Sequence, residues 1–248
     1  MKLLAIETAT EACSVALWID GEVRERFGIA PRQHAELALP WAETLLAEAG
    51  IAKSQLDAIA VGRGPGAFTG VRLAVALGQG IALALDRPVV PVSTLAALAM
   101  RPHPSPPPHA GEGGEREAQA GGGEHIISAI DARMGEIYVA VFRREGDSMI
   151  ATSDEIVIAP AQYELPQGEG WIGVGTGFAA ADGVLQSRFG SRFVHVYATA
   201  LPHAGDVARL GASAFANGGG LAPERLEPAY LRNNVALTLA EQGKRPAG

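Results

Sequence analysis

A chain of 248 residues, 48% hydrophobic and 19% charged, is globular in composition and long enough for one large domain or two small ones. Its 20 basic side chains against 27 acidic ones leave a net charge of -7, which disfavours independent binding to a phosphate backbone. The single cysteine, Cys13, excludes an internal disulfide and a cysteine metal cluster, and reads as a reduced, cytoplasmic compartment.

The first residues, MKLLAIETATEACSVALWIDG, carry Glu7 and Glu11 and continue as patterned strand, so no signal peptide is expected. No run of about 18 apolar residues goes without polar interruption, so no membrane span is expected either. Residues 3–8 form an apolar run and 12–19 an alternating strand. Asp20-Gly21 is a strong hairpin signal, with residues 22–28 as the return strand. Residues 33–50 place Leu39, Ala42, Leu45, Leu46 and Ala49 on one helical stripe that ends at Gly50, a natural C-cap; Pro40 opens or kinks this helix.

Residues 56–62 read as a buried strand and Gly64-Pro65-Gly66 as a turn. Thr69 suits the N-cap of a helix running to about Leu85, closed by Asp86 and Pro88. Along it Gly70, Ala74, Gly78 and Ala82 recur every four residues, a flat face that admits close approach of a neighbouring helix. Residues 101–124 hold five Pro and six Gly with only three alanines as apolar residues, a composition expected of a disordered linker or surface loop.

Beyond the loop the pattern restarts. A shift of 124 residues lays LAIETATEACSVAL over SAIDARMGEIYVAV, aligning Ala5 with Ala129, Ile6 with Ile130, Glu7 with Asp131 and Val15 with Val139. A strand at 171–174, a Gly175-Thr176-Gly177 turn, a helix to about Phe189, a strand at 192–197 and a helix at 203–217 complete the second half. Two α/β halves, each a mixed sheet flanked by helices, fit this order.

Tests for chemistry are largely negative. No lysine stands where a P-loop needs one, although GRGPGAFTG could present amides to an anion. The six histidines include no pair one helical turn apart, and Gly211-Ala212-Ser213-Ala214-Phe215 lies in a helix and not on a nucleophile elbow. Cys13 sits at an inward strand position, as a small core residue would. Glu7 and Asp131 each end a strand beside a turn, where a carboxylate serves either as a base or metal-nucleotide ligand or as an acceptor that ties down its own turn; Asp131 and Arg133 could form a local ion pair. His34 with Glu36 reads as chemistry of a helix start.

The strings LLAIETATEACSVALW, PRQHAELALP, GRGPGAFTGVRLAVALGQGIAL, VSTLAALA, AIDARMGEIYVA and EPAYLRNNVA resemble the TsaB (YeaZ) family over nearly the whole chain, the loop and about residues 148–170 excepted. The resemblance implies an α/β fold of the actin/Hsp70/sugar-kinase (ASKHA) type with two duplicated subdomains: residues 1–100, the loop 101–124, residues 125–222, and a tail 223–248. It also implies a role in making threonylcarbamoyladenosine next to the anticodon of tRNAs that read codons beginning with A. In that system the family member is similar to a non-catalytic partner of the transferase TsaD, with the ATPase TsaE in a larger complex and tRNA reached indirectly.

By the same resemblance, the metal-binding histidine pair of TsaD falls at about Thr94 and Leu98, neither an imidazole, so no metal, no catalytic residue and no cofactor of its own are expected; ATP or ADP would sit at the partner interface. The family motif turns fall at Glu7 and Thr8, at Gly64, Pro65, Gly66 and Thr69, and at Asp131 and Arg133. Glu7 stands where the family usually has Asp, and the first turn, Thr8-Ala9-Thr10, lacks the glycine usual in phosphate-binding hairpins of this fold class. The family pairs with TsaD through helices of the first subdomain, so Leu39, Ala42, Leu45, Leu46, Gly70, Val71, Ala74, Gly78 and Ala82 are the expected interface, and a homodimer is expected of the protein alone. A hydrolase or metallopeptidase and an autonomous nucleotide-binding protein are the alternatives.

Overall fold

The computed structural model describes residues 1–100, 124–145 and 148–232. The proline- and glycine-rich expectation for 101–124 and most of the tail therefore fall outside the described residues.

The first half opens with three antiparallel strands, β1 (Lys2–Glu7), β2 (Ala12–Ile19) and β3 (Glu22–Ile29). Asp20 and Gly21 both take positive φ, 48° and 108°, which is what a two-residue hairpin of this hand requires. Helix α1 (His34–Ala49) ends on Gly50 in the left-handed conformation (φ 66°), and Pro40 lies inside it. Strand β4 (Ala58–Gly62), helix α2 (Phe68–Leu85) and strand β5 (Val89–Val92) follow, giving the sheet order β3-β2-β1-β4-β5. The α2 N-cap is Ala67, not Thr69: the helix starts one residue before the threonine, with no side-chain cap.

After α3 (Thr94–Ala99) the second sheet repeats the plan with β6 (His125–Arg133), β7 (Glu136–Glu145), β8 (Ser148–Ala151), β10 (Trp171–Val174) and β11 (Phe193–Tyr197), in the order β11-β10-β6-β7-β8, while β9 (Ile156–Ile158) pairs with β7. The correspondence extends to strand direction. β1 is antiparallel to β2 and parallel to β4, and β6 is antiparallel to β7 and parallel to β10. The duplication read from the 124-residue shift is thus a duplication of topology. Helix α4 (Ala180–Phe189) is preceded by a 3-10 turn at Thr176–Phe178 and interrupted by Ala181, Asp182 and Gly183, all left-handed.

Alternation along each strand decides which layer covers which face. Leu4, Ile6, Cys13, Val15, Leu17, Ile59 and Val61 point to one side, where α1 and α2 supply Ala42, Leu45, Leu46, Ala74 and Ala82. Leu3, Ala5, Ala16, Ala58, Ala60 and Val90 point to the other, where they meet Ala204, Val207, Ala208 and Ala212 of α5 (Ala204–Ala216). Chain order puts α5 in the second half, but it packs on the first sheet. Conversely α3, from the first half, lays Leu95, Leu98 and Ala99 against Ile126, Ile130, Ala140 and Phe142 of the second sheet. Each half thus contributes a helix to the other's sheet.

Candidate functional site

Two places on this framework matter: the cleft between the halves and the outer surface of α1 and α2. The cleft is a cavity of about 500 Å³, walled by residues 9–11 after β1, by the 66–68 loop, by the β6 end and turn at 130–133, by Thr176, and by the 229–232 segment. The motif turns singled out in the sequence therefore do converge, since Gly66, Asp131 and Arg133 line one space.

Glu7, at the end of β1, is 1% exposed and fully engaged. Its carboxylate accepts the Ala9 N–H at 2.7 Å and the Thr94 hydroxyl at 2.9 Å, and Thr94 Oγ1 in turn accepts the Gly64 N–H at 3.2 Å. Burial pushes the carboxyl up to about 7, against the opposing bonds from Ala9, Thr94 and Thr8. Gly62 has no room for a side chain because a Cβ would collide with the Glu7 carboxylate. Thr8 donates its hydroxyl to the Gly70 carbonyl at 2.7 Å, and Ala67 N–H donates to the Ala9 carbonyl at 2.7 Å, which closes the 64–70 loop onto the first turn. Glu7 is thus an acceptor that fastens two loops together. Of the two roles open from the sequence, the geometry is that of the turn-fastening one.

The corresponding turn of the second half differs. Asp131 accepts the Arg133 N–H at 2.7 Å and its guanidinium at 2.9 Å, the local ion pair that the spacing suggested. The Asp131 N–H donates to Thr176 Oγ1 at 3.1 Å. At both turns, backbone N–H groups of residues 9, 12, 131 and 133 are already bound by side chains of the same chain. These four amides are therefore not free to cradle the phosphates of a nucleotide, the ligand that this fold class implies, whereas the N-terminus of α2 at the same cavity has no side-chain cap. His34 donates from Nε2 to the Thr10 carbonyl at 3.0 Å, at the start of α1. Cys13 is buried and its thiol is pushed up by burial to about 11. Thr94 and Leu98 are both buried in α3. Among the described residues no three His, Cys, Asp or Glu side chains gather as a metal-binding group.

The surface of α1 and α2 requires a correction. Ala42, Leu45, Leu46, Val71, Ala74, Gly78 and Ala82 are buried within the chain itself. A Cβ on Gly78 would collide with the Val61 side chain, and one on Gly70 with the Thr8 carbonyl. The small-residue face lets α2 lie close to its own sheet, so it is not the exposed face. Of the nine residues expected at an interface, Leu39 is the exposed one, at 43%, with Gly70 partly covered. The surface that does face outward lies on the opposite side of α2: Leu39, Ala76, Leu77, Gly80, Ile81, Ala84 and Leu85 line a groove of about 310 Å³, with Leu83 62% exposed beside it. By length and composition α2 is apolar enough to cross a membrane, and 28% of it is buried. Here it lies on the first sheet, and the Gln79 amide donates to the carbonyls of Pro223 and Leu226. The sequence missed this outer face because α2 is apolar all round, and periodicity cannot then say which side is inside.

Two mixed sheets of matching order, flanked by helices around a cleft, define a protein of the actin/Hsp70/sugar-kinase-like class. A family model described as TsaD, tRNA N6-adenosine threonylcarbamoyltransferase, matches residues 22–238. The chain is 39% identical to the tRNA threonylcarbamoyladenosine biosynthesis protein TsaB of Escherichia coli (strain K12), over 95% of this chain and 96% of that one. It is 34% identical to the TsaB protein of Haemophilus influenzae, over 95% of each. A crystal structure from Pseudomonas aeruginosa, described as an uncharacterized protein with similarity to peptidase YEAZ, superposes with a TM-score of 0.79 at 41% identity, covering 93% of this chain and 99% of that one. The chain belongs to the TsaB (YeaZ) family.

Proposed function

We propose that the chain acts in tRNA threonylcarbamoyladenosine biosynthesis as an accessory subunit that docks on a TsaD-type transferase and supports transfer of threonylcarbamoyl from its adenylate to the N6 of the tRNA adenosine, contributing no reacting group of its own. The observation that carries this reading is the outer apolar face of α2 with Leu39 of α1. A continuous surface of Leu, Ile and Ala on a long helix is what a partner's helices bury. Glu7 and Thr94 are buried and bonded to each other and Leu98 is buried, which supports a role without reacting groups. In this reading TsaE joins the larger assembly, tRNA is held chiefly by the transferase, and any ATP or ADP lies at the partner interface. The protein works in the cytoplasm, and alone it pairs with a second copy through the same face.

Leu39→Asp tests the reading, because Leu39 lines the groove, is 43% exposed and is not among the residues packed in the core beneath α1 and α2. The variant is expected to melt like the wild type, to lose pull-down of the transferase, and to fail to restore threonylcarbamoyladenosine formation in a reconstituted reaction. Retained pull-down would overturn the docking face, and modification at full rate with this chain omitted would overturn the role.

A further inference from the structure

The amides of residues 9, 12, 131 and 133 at the cleft turns are bonded within the chain, yet the cleft walls are not inert. Arg32, Arg133 and Arg232 line it against two carboxylates, Glu11 and Asp131, in a chain whose overall balance is acidic. Arg133 is paired with Asp131, and Arg232 bonds Glu136 and the Ala132 carbonyl, so both are held in place. Arg32 forms no ion pair or side-chain hydrogen bond among the described residues and is exposed at the rim. Phe68 and Tyr230 line the same cavity, are each 48% exposed, and have ring centroids 5.9 Å apart. The Arg72 guanidinium lies 3.6 Å over the Phe68 ring, and its Nε donates to the Tyr230 hydroxyl at 2.6 Å. Arg72 covers one face of Phe68, so the half-exposed Tyr230 ring that it bonds is the stacking platform, and the free Arg32 guanidinium lining the same cavity is a partner for a phosphate.

We propose that this rim binds an unpaired stretch of RNA, with a base stacked on Tyr230 and a phosphodiester of the same strand held by Arg32. The choice between RNA and a free nucleotide follows from charge and backbone. A phosphodiester carries one negative charge and needs one cation, which Arg32 supplies. A triphosphate would bring several charges over Glu11 and Asp131, onto turns whose amides are already bound. A duplex offers no free base face, whereas a loop does. The inference deepens the role proposed above and rests on it for the source of the RNA, a tRNA loop; the acidic remainder of the chain limits the contact to this rim and leaves the main hold on tRNA to the partner.

The test uses the full chain, alone and with the transferase, and a fluorescently labelled RNA hairpin with an unpaired loop, compared by anisotropy with a blunt RNA duplex. The wild type is expected to prefer the hairpin. Arg32→Ala and Tyr230→Ala are each expected to weaken it by about five-fold or more, while Tyr230→Phe, which keeps the ring, binds like the wild type. Thermal melts of the variants exclude loss of fold as the cause. Equal binding of hairpin and duplex, hairpin binding untouched by both alanine variants, or its displacement by ATP at equal concentration would each overturn the proposal. The rim variants leave the α2 groove intact, so they are expected to retain transferase pull-down; loss of docking in Leu39→Asp with RNA binding by the chain alone preserved would support this site as separate from the docking face.

Discussion

The hydroxyl of Thr94 donates to the carboxylate of Glu7 at 2.9 Å across 87 residues of chain, and neither residue meets solvent. The contact joins the end of the first strand to the start of α3, the helix that reaches over to the second sheet. Its titration follows from its burial. Glu7 ionises near 7 in the folded protein against 4.5 ordinarily, so between those values the native state holds a proton that the unfolded chain has lost. The contribution of this group to stability therefore falls as pH rises through that window, by up to about 3 kcal/mol. Urea unfolding at pH 5 and pH 8 is expected to show a steeper loss for the wild type than for Glu7→Gln, whose side chain does not titrate. Parallel pH dependence of the two would refute it.

Gly78 packs on Val61, so Gly78→Leu is expected to destabilise the fold by about 1–3 kcal/mol through overpacking, read as a lower urea midpoint. A variant that kept its midpoint yet lost the partner would return the small-residue face to the surface.

Glu25 joins three elements: Ser14 Oγ donates to it at 2.6 Å, His203 Nδ1 lies at 3.0 Å, and the Gly205 N–H donates at 3.1 Å. Burial raises this carboxyl, but the bonds from His203, Ser14 and Gly205 outweigh it and hold it below its usual range. The stability it gives is present above the ordinary carboxylate pKa and is lost as pH falls through the lower folded value. Ser14→Ala also strips the acceptor of the Ala204 N–H at the start of α5, so it is expected to cost about 1–3 kcal/mol. Chemical denaturation at neutral pH measures the cost, and a change within error of zero would show the cluster to be dispensable.

Cys13 is fully buried and its thiol is pushed to about 11. A disulfide reagent at pH 8 is expected to leave the folded protein untouched and to modify one thiol per chain once urea is added. Rapid modification of the native protein would mean that the β2 side of the core opens.

Much of this was legible in the residues. Asp20-Gly21 marked the hairpin, Gly50 the end of α1, and the 124-residue shift the second sheet, because turn chemistry and strand alternation are local. The burial of Glu7 was not, since the partner that satisfies it is remote in sequence. The sidedness of α2 was not, because glycine and alanine at every fourth position suit a sheet as well as another helix. The outer groove at Leu77 and Ile81 could have been found by asking which apolar residues remain after the small ones are laid inward. The aromatic and arginine rim of the cleft joins Arg32 and Phe68 to Tyr230, which no local pattern connects.

The exchange of α3 and α5 between the two sheets also governs how the chain is made. On the ribosome, residues 1–100 emerge as strands whose second face stays bare until Ala204, Val207 and Ala208 have been synthesised. The first core therefore closes late, through contacts of high sequence separation, and a nascent or truncated chain that stops before α5 presents a greasy, aggregation-prone sheet to chaperones.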